Sequence, residues 1–296
     1  MKRIFPSSQS GFLSPRVFLF VVFFLISVSV TLIGFEQKQK DETRAISPGL
    51  FDLHTIAAGA TPCAPPPSGM VSWWPGDGNA NDIQDGNNGT LQGGATFAAG
   101  EVSQAFSFNA STNSGVSVPS STSLNPTDAI TIDAWVNPSS YPNTAPAVVR
   151  KDVDNVGTTE YGMSVGDGVN TGVVNCDIGG TIGATGGSVP LNTWTHVACT
   201  YDRQNLRAYV NGNQVASTVG TTAIPTSSEN LGIGYLPGFT DRNFDGLVDE
   251  VEIFNRALSQ PEIQSIVNAG SAGKCKSQPT RATPTPRPRP TPAPRP

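Results

Sequence analysis

Acidic residues gather in three stretches of the chain, and each has the residue types for a different chemistry. The run Asp241-Arg242-Asn243-Phe244-Asp245-Gly246, followed by Asp249 and Glu252, satisfies the spacing of a helix–loop–helix calcium loop. That loop needs a helix on each side and Glu252 folded back as a bidentate ligand. Here Leu231–Gly234 reads as strand and loop, and Leu247–Asn255 reads as an extended strand, which cannot curl Glu252 onto Asp241. A different calcium site built from Asp241, Asn243 and Asp245 stands as one reading, and a solvated acidic turn as the other. The second stretch, Asp77 to Gly89, alternates Asp, Asn and Gly. Calcium takes hard oxygens from carboxylates, amides and backbone carbonyls, and glycines let carbonyls turn inward. Asx turns between strands explain the same composition.

The third stretch is Asp249-Glu250-Val251-Glu252. Retaining glycoside hydrolysis needs two carboxyl groups about 5–5.5 Å apart across a cleft. On a regular strand Glu250 and Glu252 share one face and Asp249 takes the other. The expectation is therefore that Asp249 serves structure or calcium while Glu250 and Glu252 face solvent. No Ser-His-Asp or Cys-His set can be assembled. There are only two histidines: His54 falls in a linker, and His196 on a strand, where a structural role is expected. No cysteines have zinc-ligand spacing. The chain is read as non-catalytic, with a glycosidase as the alternative.

Aromatic rings are the remaining recognition chemistry. Trp73 and Trp74 are neighbours on a strand, so they face opposite ways and one is expected at the surface. Trp135 and Trp194 are expected in the core. Tyr141, Tyr161, Tyr235 and Phe239 fall in or near loops, and Tyr235-Leu236-Pro237-Gly238-Phe239 is the loop most suited to ligand contact. Trp73, Tyr141, Tyr235 and Phe239 are the ligand-binding candidates, against ordinary packing at a sheet edge.

These residues must be positioned by strands. Thr195–Tyr201 alternates with period two, a polar Arg203-Gln204-Asn205 turn follows, and Leu206–Val210 ends at Asn211-Gly212. Asn-Gly between two such runs predicts a two-residue hairpin turn with positive φ at both positions. Further strands are read at Met70–Trp74, Gln104–Phe108, Gly115–Val118, Ile130–Asn137, Ala147–Arg150, Tyr161–Val165, Val173–Asp177, Gln214–Ser217, Leu231–Ile233 and Leu247–Asn255. Many short strands with no long helix between them give an all-β, antiparallel β-sandwich. One short C-terminal helix is predicted. Ser259 and Glu262 form a capping box, Pro261 sits in the first turn, Ile263, Ile266 and Val267 make an apolar stripe, and Gly270 ends it. It is expected on the sandwich edge.

Four segments carry a resemblance: Trp74 to Asp82, Ile130 to Val136, Trp194 to Gly212, and Gly246 to Ser259. Together they resemble the LamG-like jelly-roll domains of the concanavalin A-like lectin/glucanase superfamily, over about residues 69–273. The resemblance implies a jelly-roll sandwich and a glycan or protein ligand. Domains of this kind often hold a calcium ion between the opening loop and the closing strand, which carries over to Asp82 or Asp85 together with Asp249. The superfamily's glucanases use a Glu-x-Asp-x-Glu-like strand, a pattern absent here. Of the three pairings open to Cys63, Cys176, Cys199 and Cys275, the fold implies Cys63–Cys275 and Cys176–Cys199.

The flanks set the address. Basic residues precede a nearly unbroken apolar run, Val17 to Phe35, just long enough to cross a bilayer. Residues 1–35 are read as a signal peptide or an uncleaved signal anchor, so everything after is exported. Residues 36–62 read as a flexible linker and 63–276 as the domain. The Pro/Thr/Arg-rich end, 277–296, reads as a disordered, extended spacer. Net charge is −5 with 14% charged residues, which gives no reason to expect nucleic acid. The membrane is a partner through residues 17–35 if that segment is retained. A structural or adhesive spacer module without a small ligand is the second reading of function.

Overall fold

A computed structural model describes residues 63–142, 145–152 and 159–276. The leader, linker and Pro-rich segments therefore lie outside the described residues. Fifteen strands follow one another among those described: β1 (Met70–Trp74), β2 (Thr90–Gln92), β3 (Thr96–Ala99), β4 (Gln104–Phe108), β5 (Gly115–Val118), β6 (Ile130–Ser140), β7 (Ala147–Asp152), β8 (Thr159–Gly166), β9 (Thr171–Ile178), β10 (Ile182–Gly186), β11 (Thr195–Tyr201), β12 (Asn205–Val210), β13 (Asn213–Val219), β14 (Leu231–Ile233) and β15 (Asp245–Phe254). Sheet one runs β13-β12-β11-β6-β15-β4-β3, with β1 also paired to β15. Sheet two runs β10-β9-β8-β7-β14-β5-β2. All the strand pairings are antiparallel.

The two sheets enclose one apolar core. From sheet one come Phe106, Ile132, Ala134, Val136, Val197, Tyr201, Val248 and Ile253; from sheet two come Val116, Val149, Tyr161, Met163, Val174 and Ile233. Alternation along β6 and β11 sends every second side chain into this core, and the residues between them are buried on the other face as well. The disulfide Cys176–Cys199 joins β9 to β11 and so ties sheet two to sheet one. The β12–β13 hairpin closes through Asn211 at φ 48° and Gly212 at φ 74°, the positive pair that Asn-Gly tolerates best.

Three strands escape the sequence reading: β2, β3 and β10. Ile182-Gly183-Ala184-Thr185-Gly186 buries only Ile182 and Ala184, and its glycines mask the alternation. β2 has only three residues.

The one α-helix among the described residues, α1 (Gln260–Ala269), starts as its capping box predicts: the Ser259 N–H donates to Glu262 Oε2 at 2.8 Å. It packs on a face rather than an edge. Ile263 and Ile266 join Met70, Trp73, Ala198, Tyr209, Phe254 and Leu258 in a second cluster on the outer side of sheet one. No helix of the described residues is long and apolar enough to cross a membrane.

Candidate functional site

The acidic strand β15 is central in sheet one, between β6 on one side and β4 and then β1 on the other. Its pairing with β6 slips between Asp249 and Glu252, where Glu250 takes φ 50°. This is a β-bulge with a left-handed residue, and it adds one residue to the strand's phase. Val248, Val251 and Ile253 still reach the core. Asp249, opposite Trp135, and Glu252, opposite Asp133, now both face outward, and Glu250 accepts from Trp73 Nε1 at 2.9 Å. The expectation that Asp249 opposes the two glutamates is corrected, because simple alternation fails at a bulge.

The same three acids are buried, not solvent-facing: Asp249, Glu250 and Glu252 are all at most 1% exposed. The segment after α1 covers them. Lys274 Nζ lies against Glu252 Oε1 and 3.4 Å from Glu250 Oε2, and Lys276 Nζ lies 3.1 Å from Glu250 Oε1 and against Asp77. Both ammonium groups stand over the Trp73 ring, 5.2 and 5.7 Å from its centroid. Burial pushes the Glu252 carboxyl well up, against the pull of Lys274. Burial likewise raises Asp249 to about 8, although the Val102 N–H donates to its Oδ2 at 2.8 Å. Beyond Glu252 on the same face, Asp133 meets His196 Nε2 at 3.1 Å, and the His196 ring stands edge-on to Trp135. The arrangement is an ion-pair network, buried at Lys274, Glu250 and Glu252 and about one-third exposed at Lys276 and Asp77.

The lysines are what sequence reasoning missed. Only three lysines occur between residues 63 and 276, and Lys274 and Lys276 flank a cysteine. A strand with three acids in a sheet centre requires cations from somewhere, and that scarcity could have pointed to them.

The candidate calcium ligands are spread apart. Asp82 is buried, and its carboxylate is occupied by backbone donors: Trp73 and Gln84 N–H on Oδ1, Asn87 and Asp85 N–H on Oδ2. It works as an Asx-turn organiser that ties the opening loop to β1. Asp85 is exposed, and Asp249 is committed to Val102. In the second set Asp241 is exposed, the Asn243 amide donates to Ala110 and Thr240 carbonyls, and Asp245 accepts from Ser139, Ser140 and the Ala110 N–H. Among the described residues no three His, Cys, Asp or Glu side chains are placed to hold one metal ion. As folded, the hydrogen bonds of Asp82, Asp245 and Asp249 give these carboxylates structural roles.

Of the candidate ligand-binding aromatics, Trp73 is 2% exposed and Tyr235 6% exposed, so neither offers a ring face. Trp73 is covered by α1 and the two lysines. Tyr141 and Phe239 are half-buried, and Tyr141 Oη donates to the Val189 carbonyl. Trp194, expected in the core, is half-buried, whereas Trp135 is buried.

An open concavity does lie on sheet one, away from the lysines. It has a volume of about 310 Å³ and is lined by Ser107, Phe108, Asn137, Ser139, Asn192, Gly246 and Leu247. Strands β4, β6 and β15 supply its floor, and the turn before β11 supplies Asn192, whose φ of 54° and N–H donation to the Pro138 carbonyl fix it at the rim. Asn and Ser residues here stand beside Leu247, with the buried Phe108 beneath them. Such a groove can donate to and accept from neutral hydroxyls.

Comparison with known proteins follows this geometry. A family model described as the concanavalin A-like lectin/glucanases superfamily matches residues 110–264. No curated protein sequence matches the chain. Among solved structures, domain 4 of AbnA, a GH43 extracellular arabinanase from Geobacillus stearothermophilus in complex with arabinotriose, superposes with TM-score 0.54 at 21% identity, over 66% of this chain and 96% of that one. The binding domain of Paraclostridial Mosquitocidal Protein 1 gives TM-score 0.54 at 20% identity, over 68% of this chain and 52% of that one. A Trypanosoma rangeli sialidase in complex with 2,3-difluorosialic acid gives 0.54 at 18%, over 70% of this chain and 36% of that one. The chain thus spans about half of the toxin domain and about a third of the sialidase. At these identities the likeness is one of fold, and that fold occurs in glycosidases and in binding domains alike.

Proposed function

This chain belongs to the concanavalin A-like lectin/glucanase superfamily, and from that premise we propose that it is an exported, non-catalytic recognition module that binds a glycan. The groove lined by Ser107, Asn137, Ser139, Asn192 and Leu247 is the binding site. The observation that carries this reading is how the polar groups are used. The acids that could do hydrolysis are buried against Lys274 and Lys276, while the amides of Asn137 and Asn192 line an open concavity. At about 310 Å³ the groove is at the small end for a ligand site, which suits one or two sugar rings rather than a protein surface. Leu247 supplies the apolar contact and the amides fix orientation. Two disulfides suit an oxidising compartment, in keeping with export. The arabinanase domain solved with arabinotriose shows the fold in a carbohydrate complex.

The test is a glycan array run on the intact chain, with calcium and with chelator, followed by titration of N137A and N192A. Each variant removes about one hydrogen-bonding amide, so affinity should fall roughly tenfold. Binding that vanishes in chelator would put a metal ion near the site, and binding that persists would leave the groove's own side chains to carry it. Glycan binding that ignores both substitutions would move the site elsewhere. An array with no binding at all would favour a protein partner or a structural spacer.

A further inference from the structure

The two ends of the domain are spliced to each other. Cys63 and Cys275 are bonded, with their Cα atoms 4.9 Å apart across 212 positions of sequence. Beside them Ala64 and Lys274 form a parallel bridge, in which the Ala64 N–H donates to Gly273 O at 2.9 Å and the Cys275 N–H to Ala64 O at 2.8 Å. Parallel pairing fixes the geometry of entry and exit: the chain arrives at Cys63 heading in the direction in which it leaves Cys275. At the splice itself the backbone at residues 63–64 and at 274–275 runs in one direction, and the rest of the domain is a closed loop between the two cysteines. The exit is fastened a second time by side chains. Lys274 is buried on Glu250 and Glu252 of β15, and Lys276 is paired with Asp77 after β1 and with Glu250. The sequence reads as flexible linker before the splice and as extended spacer after it, with Pro65-Pro66-Pro67 just inside and Pro alternating after residue 282.

We infer that the chain is a tension-bearing tether and that the domain is its shielded side loop. Load between the segment before Cys63 and the segment after Lys276 crosses the Cys63–Cys275 bond and never enters residues 64–274. A covalent bond cannot lengthen enough to pass strain to the loop it closes. Without the bond, the same load would shear the two backbone hydrogen bonds of the parallel bridge and then pull β1 from β15. This inference does not depend on what the groove binds.

Single-molecule force spectroscopy on the full chain, held at its two ends, tests it. The oxidised chain should show no length step from residues 64–274. In the C63S/C275S double variant the loop should open and release roughly 65–70 nm at about 3.6 Å per residue, the Cys176–Cys199 loop staying closed. Should that variant fail to fold, the native chain is exposed to dithiothreitol while mounted. The reagent's thiolate attacks one sulfur, its second thiol closes a ring, and two cysteine thiols are released as the reagent is oxidised. The freshly reduced chain should then gain the length of the whole loop under load. A step of that size from the oxidised chain, or none from the freshly reduced one, would overturn the inference.

Discussion

Lys274 Nζ lies 3.4 Å from Glu250 Oε2, with both side chains 2% exposed or less. Glu252 shares the same ammonium from its other side. A charge in such a place is tolerated only while its counter-charge is present, since desolvation costs several kcal/mol per ion. Lys274→Met leaves Glu252 facing an apolar side chain, with Glu250 held by Lys276 alone, and should cost about 3–5 kcal/mol near pH 7. The deficit should narrow in acid, because Glu252, already driven upward by burial, takes a proton readily. Urea midpoints at pH 5 and pH 7 check this; a variant as stable as the parent at pH 7 would mean the lysine is incidental.

Asp249 makes the opposite case, a buried acid with no cation paired to it among the described residues. Burial raises it to about 8 from an ordinary value of 3.8. The sign follows. A group raised in the folded state holds its proton there while the unfolded chain has released it. Its contribution to stability is complete below about pH 4 and is lost as pH climbs through about 8. Asp249→Asn keeps the carbonyl that accepts from Val102 and removes the titration. The variant should match the parent near pH 4 and exceed it at pH 8–9 by on the order of a few kcal/mol. Thermal melts across that range decide it, and parallel pH profiles for the two proteins would refute the assignment.

How far these residues were legible varies with the physics behind them. Strands such as Thr195–Tyr201 announce themselves through their period-two pattern, in which Val197, Cys199 and Tyr201 face the core between the sheets while Ala198 on the other face is buried in the second cluster. The helix announces itself through Ser259 and Glu262. Both disulfides follow once the fold is known, since they sit at the domain's ends and across its two sheets. The site resisted reading for one local reason and one distant one. The bulge at Glu250 is invisible in the letters Asp-Glu-Val-Glu, yet it turns Asp249 to the side of Glu252. The cover over that face comes from Lys274 and Lys276, more than twenty residues downstream, so a strand read alone suggests exposed acids. Trp73 was misjudged for the same reason: adjacency set its direction correctly, but not what lies on top of it.

Arg256 grips Glu262 with both amino groups, at 2.6 and 3.0 Å, while the Ser259 N–H donates to the same carboxylate. The Arg256 hydrogen bonds, foremost, bring Glu262 down to about 2. A depressed carboxyl contributes above its unfolded value of 4.5, and that contribution is lost as pH falls toward 2. The pair is about one-third exposed, so solvent screening reduces its worth. Glu262→Gln should cost about 0.5–1 kcal/mol at pH 6 and nothing at pH 2. Denaturation of both proteins at the two pH values measures it; equal stability at pH 6 would show that the capping box alone holds the helix start.

Gly246 links stability to the groove. It stands at φ 132°, where β15 slips register against β6, and an added Cβ would lie 2.4 Å from the Asn137 carbonyl and 2.8 Å from Pro138 Cα and Ser139 N. Those atoms are backbone and have little room to yield. Gly246→Ala should therefore cost about 2–4 kcal/mol, from positive φ and displacement of β6 together. Because Asn137 and Ser139 line the groove beside Gly246, the displacement also spoils the binding surface. Ligand affinity should fall even at temperatures where the variant is fully folded. Calorimetric melting paired with glycan titration separates the two effects, and a destabilised variant that binds as the parent does would place the ligand off this groove.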